Sequence, residues 1–189
     1  MRKLKLMMQM TIDGFVAGPD GEMDWMWASG GEQNDDDLNK GIELADSCDT
    51  LLLGRKMAPG FIAHWEHVYD NEGGSPSHGL AQRMVSLRKI VFSRTQTAMS
   101  GRNLEVENRD VATVVQELKK QAGKDIVVYG GVDFVTSLVR QDLIDEYYFS
   151  INPVAIGRGL SVFTEQKVLK FDSSVTFKSG EVLNKYLRV

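Results

Sequence analysis

The chain has 189 residues, 42% hydrophobic and 25% charged, with 22 basic side chains against 26 acidic ones and a formal net charge of −4. A chain of this length buries about 70% of its unfolded surface without staples, and its single cysteine, Cys48, excludes both an internal disulfide framework and a multi-cysteine zinc site. The mild acidity leaves no electrostatic footprint for nucleic acid, which points to a small-molecule partner in a reducing, cytoplasmic compartment.

Met1 to Met10 is apolar but is broken by Arg2, Lys3 and Lys5 and precedes no small-residue cleavage site, so it reads as a strand rather than a signal peptide. No stretch approaches the roughly 18 consecutive apolar residues of a membrane span. The first strand is expected over Leu4 to Ile12, with turn chemistry in Asp13-Gly14 and Gly18-Pro19-Asp20-Gly21. Leu38, Ile42 and Ala45 share one face of what is expected to be the first helix. Asn34 and Asp35 to Asp37 stand before that face, where negative charge suits a helix N-terminus. Thr50 to Leu53 is a short apolar strand ending at Gly54. Lys89 to Ser93 repeats the pattern after a loop rich in Gly, Ser, Pro and Asn, of which residues 70–79 are the loosest part.

Val111, Val114, Val115, Leu118 and Ala122 follow helical spacing, with Asp110 placed as N-cap and Gly123 at the expected C′ position. Ile126 to Tyr129 is a strand that runs into Gly130-Gly131, after which Val132, Val135, Leu138 and Val139 form another amphipathic face. Tyr147 to Ile156, Lys170 to Phe177 and Val182 to Val189, the last two around Ser179-Gly180, suggest an antiparallel finish with a terminal hairpin. Strand-type runs alternating with helical ones predict a layered α/β fold whose sheet is mixed but mostly parallel. No repeat or linker divides residues 1–189, so a single domain is expected.

Three strand ends carry residues suited to a nucleotide. Gly54-Arg55-Lys56 puts a glycine and two cations where a strand turns toward a helix. Ser93-Arg94-Thr95 sets two hydroxyls around a guanidinium, a combination that binds a phosphate monoester. Tyr129-Gly130-Gly131 lets a pyrophosphate approach backbone that carries no Cβ. Taken singly each is equally well read as turn punctuation, and neither G-x-G-x-x-G nor a Walker lysine is present. His64 and His67 share a helix face but lack a clear third ligand, so no metal is expected. The nine methionines read mainly as adaptable core, although Met8, Met10, Met23 and Met26 also suit a flat apolar pocket.

The order of the short motifs is more telling than any one of them. The runs are Met10-Thr11-Ile12-Asp13-Gly14-Phe15-Val16-Ala17-Gly18, Thr50-Leu51-Leu52-Leu53-Gly54-Arg55, Val91-Phe92-Ser93-Arg94, Val128-Tyr129-Gly130-Gly131, Asp145-Glu146-Tyr147 and Asn152-Pro153-Val154-Ala155-Ile156-Gly157-Arg158-Gly159. Together they resemble the dihydrofolate reductase superfamily over nearly the whole chain. The likeness is greatest to the branch that holds the C-terminal reductase domain of the bifunctional riboflavin-biosynthesis deaminase-reductase.

That resemblance implies a three-layer fold and NADPH as cofactor. It places Gly54, Arg55, Lys56, Ser93 and Arg94 against the adenosine-side phosphates, with Arg55, Ser93 and Arg94 for the 2′-phosphate. Tyr129, Gly130, Gly131 and Val132 fall at the pyrophosphate, with a cis peptide between the two glycines, and Gln9, Val16 and Ala17 line the nicotinamide. The implied reaction is hydride transfer to a C=N or related bond of a small heterocycle or ribosylamino-pyrimidine, as in 5-amino-6-(5-phosphoribosylamino)uracil reduction. Dihydrofolate reduction and non-catalytic NADPH binding are the alternatives. The carboxylate that anchors pterin in folate reductases matches Asp37, after Trp25 and Trp27, and the competing role for Asp37 is helix capping. Gly41 stands where an aromatic is expected, and Lys56-Met57-Ala58-Pro59-Gly60 replaces the riboflavin branch's acidic-proline segment. One cysteine and no His-x-Glu cannot build the zinc deaminase half. By the same analogy a homodimer is expected.

Overall fold

The computed structural model describes residues 1–28 and 35–189, with the side chains of all of these except residues 27, 28 and 35–37. In chain order the elements are β1 (Leu4–Thr11), α1 (Trp25–Ala28), α2 (Asp35–Asp46), β2 (Cys48–Gly54), α3 (Ala58–Asn71), α4 (His78–Ser86) and β3 (Arg88–Phe92). There follow β4 (Leu104–Glu107), α5 (Val111–Lys120), β5 (Asp125–Val128), α6 (Val132–Arg140), β6 (Glu146–Asn152), β7 (Leu169–Thr176) and β8 (Val182–Arg188). All eight strands join one sheet in the order β4-β3-β2-β5-β1-β6-β8-β7. The first six are parallel, while β8 runs antiparallel to both β6 and β7.

Continuous apolar runs occupy the middle of this sheet because helices cover both faces there. Leu51 to Leu53 and Ile126 to Val128 are fully buried. In β1 the pleat sorts side chains by parity. Leu4, Leu6, Met8 and Met10 enter the core under α5 and α6 with Val114, Leu118, Val135 and Leu138. Lys5, Met7, Gln9 and Thr11 therefore face the layer of α2, α3 and α4, whose own core holds Leu44, Leu51, Leu53, Ile62 and Met84. Met8 and Met10 are thus core side chains facing away from Gln9 and line no pocket with it.

The chain runs outward from β1 through β2 and β3 to β4, then returns to insert β5 between β2 and β1. The carboxyl ends of β2, β5 and β1 consequently flank a topological switch point, where open α/β sheets place their ligands. The opposite edge is consumed by ion pairs. The buried Arg2 donates to Asp49, Thr50 and the Lys124 carbonyl, Lys5 pairs with Asp125 at 2.9 Å, and Lys119 pairs with Asp145 at 2.5 Å. Lys3 pairs with Glu146 at 2.6 Å, so Arg2, Lys3 and Lys5, which interrupt the apolar N-terminal run in the sequence, are all accounted for.

Three expectations about elements require correction, and one strand carries no signal in the sequence. The one-turn helix α1 precedes α2, so α2 is not the first helix. The stretch between β2 and β3, expected as a loop apart from the helix that carries His64 and His67, is two helices joined by residues 72–77. The short strand β4 has no apolar run to announce it, since it reads Leu-Glu-Val-Glu at the sheet's edge. Asp110 does cap α5, accepting from the Thr113 amide at 2.9 Å. Gly123, however, is not the C′ residue. The helix stops at an extended Gln121, and Gly123 turns the chain past Asp49, whose carboxylate would lie 2.5 Å from any Cβ at that position. No described helix is long and apolar enough to cross a membrane.

Candidate functional site

Strand register brings the three strand-end motifs together. Gly54 pairs with Phe92, so Arg55 and Ser93 leave the sheet side by side. Leu52 pairs with Val128, which carries Gly54 and Gly130 out at one level. The ends of β3, β2, β5 and β1 then form a track of three strand spacings, about 14 Å.

At the centre of the track two glycines meet. Gly131 has φ +86 and is the N-cap of α6. A Cβ built on it would stand 3.5 Å from Gly54 Cα. On Gly54 a Cβ would strike Phe134 at 2.8 Å, and on Gly130 it would strike the Met57 sulfur at the same distance. Gly54 and Gly130 are buried, the space of their missing Cβ atoms taken by Phe134 and Met57, and half-buried Gly131 closes on Gly54, so glycine is what lets the ends of β2 and β5 and the start of α6 approach one another. The peptide between Gly130 and Gly131 is trans, not cis, and the chain contains no cis bond among its described residues. Positive φ at Gly131, which only glycine adopts without penalty, makes the reversal from strand to helix with an ordinary amide.

Around this centre the cations differ in their engagement. Arg55 and Arg94 are exposed with no partner among the described residues, whereas Lys56 bridges to Asp133 in the first turn of α6 at 2.7 Å. Ser93 is buried, and its Oγ accepts from the amides of Thr95 and Gln96 at 3.2 and 2.9 Å. Tyr129 turns its ring against Phe61, 5.8 Å between centroids, and buries a hydroxyl that makes no hydrogen bond. Burial pushes that phenol's pKa up. Tyr129 thus offers the track its backbone. Val132 opens α6, half-buried.

On the β1 side, the side chain of Val16 is buried in the core and Ala17 is 3% exposed. The segment is tied to the loop after β6, the Leu160 amide donating to Ala17 O at 2.8 Å and the Val16 amide to Leu160 O at 2.9 Å. Asp13 adds a clamp. It accepts from Thr11 Oγ1 at 2.5 Å and from the amides of Ile156 and Gly157 at 3.1 and 2.7 Å, and the Thr11 bond first among these holds its pKa below the usual carboxylate range. The expectation that Asp13 orders its turn is met, and the clamp reaches a second loop as well.

Gln9 is half-buried on the α2 side of β1, where its Oε1 accepts from Asn152 Nδ2 at 2.6 Å. Its register partner on β6 is Ser150, 1% exposed, with an Oγ that has no hydrogen-bond partner. Because α2 leads straight into the parallel strand β2, its N-terminus lies at the same carboxyl edge. Asp37 is the third residue of α2, and its side chain lies outside the described residues, as does Asn34. His64 and His67 occupy α3; His64 packs on Trp65 and His67 lies 3.4 Å from Glu72. Among the described residues no three metal-ligating side chains converge.

Comparison with known proteins places this geometry. Residues 2–184 match the RibD C-terminal domain family. The chain belongs to that family. The Bacillus subtilis protein YyaP, itself uncharacterised, is 34% identical over 184 residues, covering 96% of this chain and 92% of its own. Among solved structures, a Shewanella sp. PV-4 protein assigned to riboflavin biosynthesis shares 19% identity at a TM-score of 0.74, over 99% of both chains. The deaminase/5-amino-6-(5-phosphoribosylamino)uracil reductase of Thermotoga maritima shares 16% at 0.68, over all of this chain and 57% of the larger enzyme. A dihydrofolate reductase of Enterococcus faecalis complexed with NADP(H) shares 16% at 0.59, over 98% and 96%. These likenesses support the fold expected from the sequence for this RibD C-terminal domain.

Asp133, Asn108 and Ser150 stand at the site outside the sequence motifs, Asn108 by donating its Nδ2 to Ser93 O at 2.6 Å. Asp133 is a single acid in the first turn of α6 and Asn108 a single amide just after β4. Ser150 carried a readable signal, since it interrupts an apolar strand on the face opposite to Tyr147 and Phe149.

Proposed function

We propose that this RibD C-terminal domain is an NADPH-dependent reductase that delivers hydride to a C=N bond of a small heterocycle, with ribosylamino-pyrimidines as the leading substrate class. The observation that carries the reading is the glycine cradle of Gly54 and Gly131, flanked in register by Arg55 and Arg94, which have no partner among the described residues. A dinucleotide fits such a track because its pyrophosphate needs close backbone approach and its 2′-phosphate needs unspent cations.

In this reading Arg55, Ser93 and Arg94 hold the 2′-phosphate, and Lys56 exchanges its bond to Asp133 for one to phosphate. Gly54, Gly130, Gly131 and the amides from Val132 onward receive the pyrophosphate, with the dipole of α6 favouring negative charge at that end. Gln9 and the backbone of Val16 and Ala17 seat the nicotinamide ring, at the end of the track next to β1. The reduced nicotinamide supplies hydride when bound. The substrate heterocycle stacks on the α2 side of β1 and β6, where Ser150 Oγ, buried and unpartnered, bonds to it. Asp37, in the first turn of α2, anchors or protonates the nitrogen that the transfer leaves behind.

Titrating the purified protein with NADPH and NADH by tryptophan fluorescence tests the reading: NADPH-selective binding is expected, and no binding of either nucleotide refutes it. Turnover with ribosylamino-pyrimidine and with dihydrofolate as separate substrates then assigns the acceptor. The exposed apolar side chains Phe171 and Val175 on the edge strand β7 support a homodimer, which sedimentation measures directly.

A further inference from the structure

Arg94 stands at the tip of a turn whose shape is set from outside. Beneath it, Ser93 Oγ takes the amides of Thr95 and Gln96. Asn108, the first residue after β4, reaches across and donates its side-chain Nδ2 to the carbonyls of Ser93 at 2.6 Å and Gln96 at 2.8 Å. One carboxamide thus grips both sides of the Arg94 tip. The Ser93 amide completes the join by donating to Glu107 O at 3.0 Å.

The gripping residue is itself held. Glu107, just before it, accepts from the Arg109 amide at 2.9 Å and from the Arg109 guanidinium at 2.7 Å, and Arg109 also reaches Glu117 on α5 at 3.0 Å. The Arg109 side chain, foremost among these contacts, keeps the Glu107 carboxyl ionised below its ordinary range. Its charge is answered by Arg109 and is not spent on Arg94, which stays free of partners among the described residues.

We propose that Asn108 is a positioning residue for Arg94 and so sets the preference of this protein for the 2′-phosphorylated nicotinamide nucleotide over the unphosphorylated one. The inference rests on the reading of Arg94 as a phosphate contact. An exposed arginine on a loose turn loses side-chain and loop entropy when it meets phosphate, whereas on a pinned turn the backbone part of that loss is already met. Asparagine suits the task because its amide nitrogen carries two hydrogens, one for each carbonyl.

A double-mutant cycle read as the ratio of NADPH to NADH affinity is the test. Arg94→Ala is expected to lower the ratio about ten- to a hundredfold, and Asn108→Ala about three- to tenfold with NADH affinity unchanged. Asn108→Ser, with one hydrogen for two carbonyls, should fall between. In the Arg94→Ala background, Asn108→Ala should have no further effect on the ratio. If Arg94→Ala lowers the ratio and Asn108→Ala does not, the positioning role is overturned and the phosphate contact stands. An additive effect in the double variant, or equal loss for both nucleotides, also overturns it. If Arg94→Ala itself leaves the ratio unchanged, the phosphate contact fails and the positioning role goes with it.

Discussion

Gly131→Ala separates the stability of the strand-end turn from its use as a cradle. The new methyl would sit 3.5 Å from Gly54 Cα and 3.7 Å from both Gly54 N and Phe134 Cβ. These are ordinary contacts, so packing accepts it. The backbone does not, because φ +86 is a conformation that an L side chain adopts at a cost of about 1–3 kcal/mol, equivalent to a Tm lower by about 2–12 °C in a chain of this size. The variant should still fold. It should also lose NADPH at least about tenfold, since the methyl stands between the two strand ends where the pyrophosphate must approach backbone. Gly54→Ala is the wrong choice for this purpose, because its Cβ would meet Phe134 at 2.8 Å and would disturb α6 before any ligand arrived. Urea unfolding without nucleotide measures the first effect, and fluorescence titration with NADPH the second. A destabilised Gly131→Ala protein that binds NADPH as tightly as the parent would refute the cradle.

Other expectations follow from single contacts. Asp133→Asn removes the anion that holds Lys56 at 2.7 Å on the open surface and should tighten NADPH about two- to fivefold by titration; weaker binding would mean that Lys56 needs Asp133 to be in place. Ser150→Ala deletes a buried hydroxyl that has no protein partner, so cofactor affinity and folding should hold while kcat/KM on the true substrate drops; an unchanged rate returns Ser150 to the core. Lys89 is 1% exposed, its ammonium held by the carbonyls of Val85, Leu87 and Arg102, and burial lowers its pKa to about 8. Between that value and 10.5 the unfolded chain carries the extra proton, so raising the pH across this window should favour the folded state relative to Lys89→Met, by up to about 3 kcal/mol. A stability difference that is flat from pH 7.5 to 10.5 in urea melts would count against that burial effect.

The strand ends proposed to take the cofactor carry a signal in the sequence because their turns and close contacts depend on backbone. Close approach of main chain demands glycine, and Gly54, Gly130 and Gly131 each stand at a strand end with cations or hydroxyls beside them in the neighbouring register. The cis peptide expected there did not appear, since positive φ at Gly131 turns the chain without it. The side chains proposed to meet the substrate are carried by strands far apart in the chain. Gln9 and Ser150 become neighbours only through the parallel pairing of β1 with β6, and nothing local in either strand declares a pairing across 140 residues of chain. Asn108 is hidden for the same reason, its role existing only once β4 lies beside β3. The strand β4 itself, two glutamates among four residues on an edge, has the composition of a protected sheet margin rather than of a core strand.

The same contrast bears on which acceptor suits the proposed reductase. A folate-type pocket is expected to carry an aromatic residue four positions after the anchoring carboxylate on α2, and here that position is Gly41. A Cβ at Gly41 would lie 3.4 Å from the end of the Leu80 side chain of α4, so position 41 faces α4 and an aromatic ring there would have to displace Leu80. The helix pair α3 and α4 that follows β2 occupies that room. The wall that would grip an extended pterin and its aryl tail is therefore replaced by contact between α2 and α4, while Gln9, Asn152 and Ser150 on the sheet remain. A compact heterocycle held by hydrogen bonds from the sheet satisfies this arrangement better than a long one gripped from the helix side, which is why ribosylamino-pyrimidine precedes dihydrofolate in the order of substrates to test.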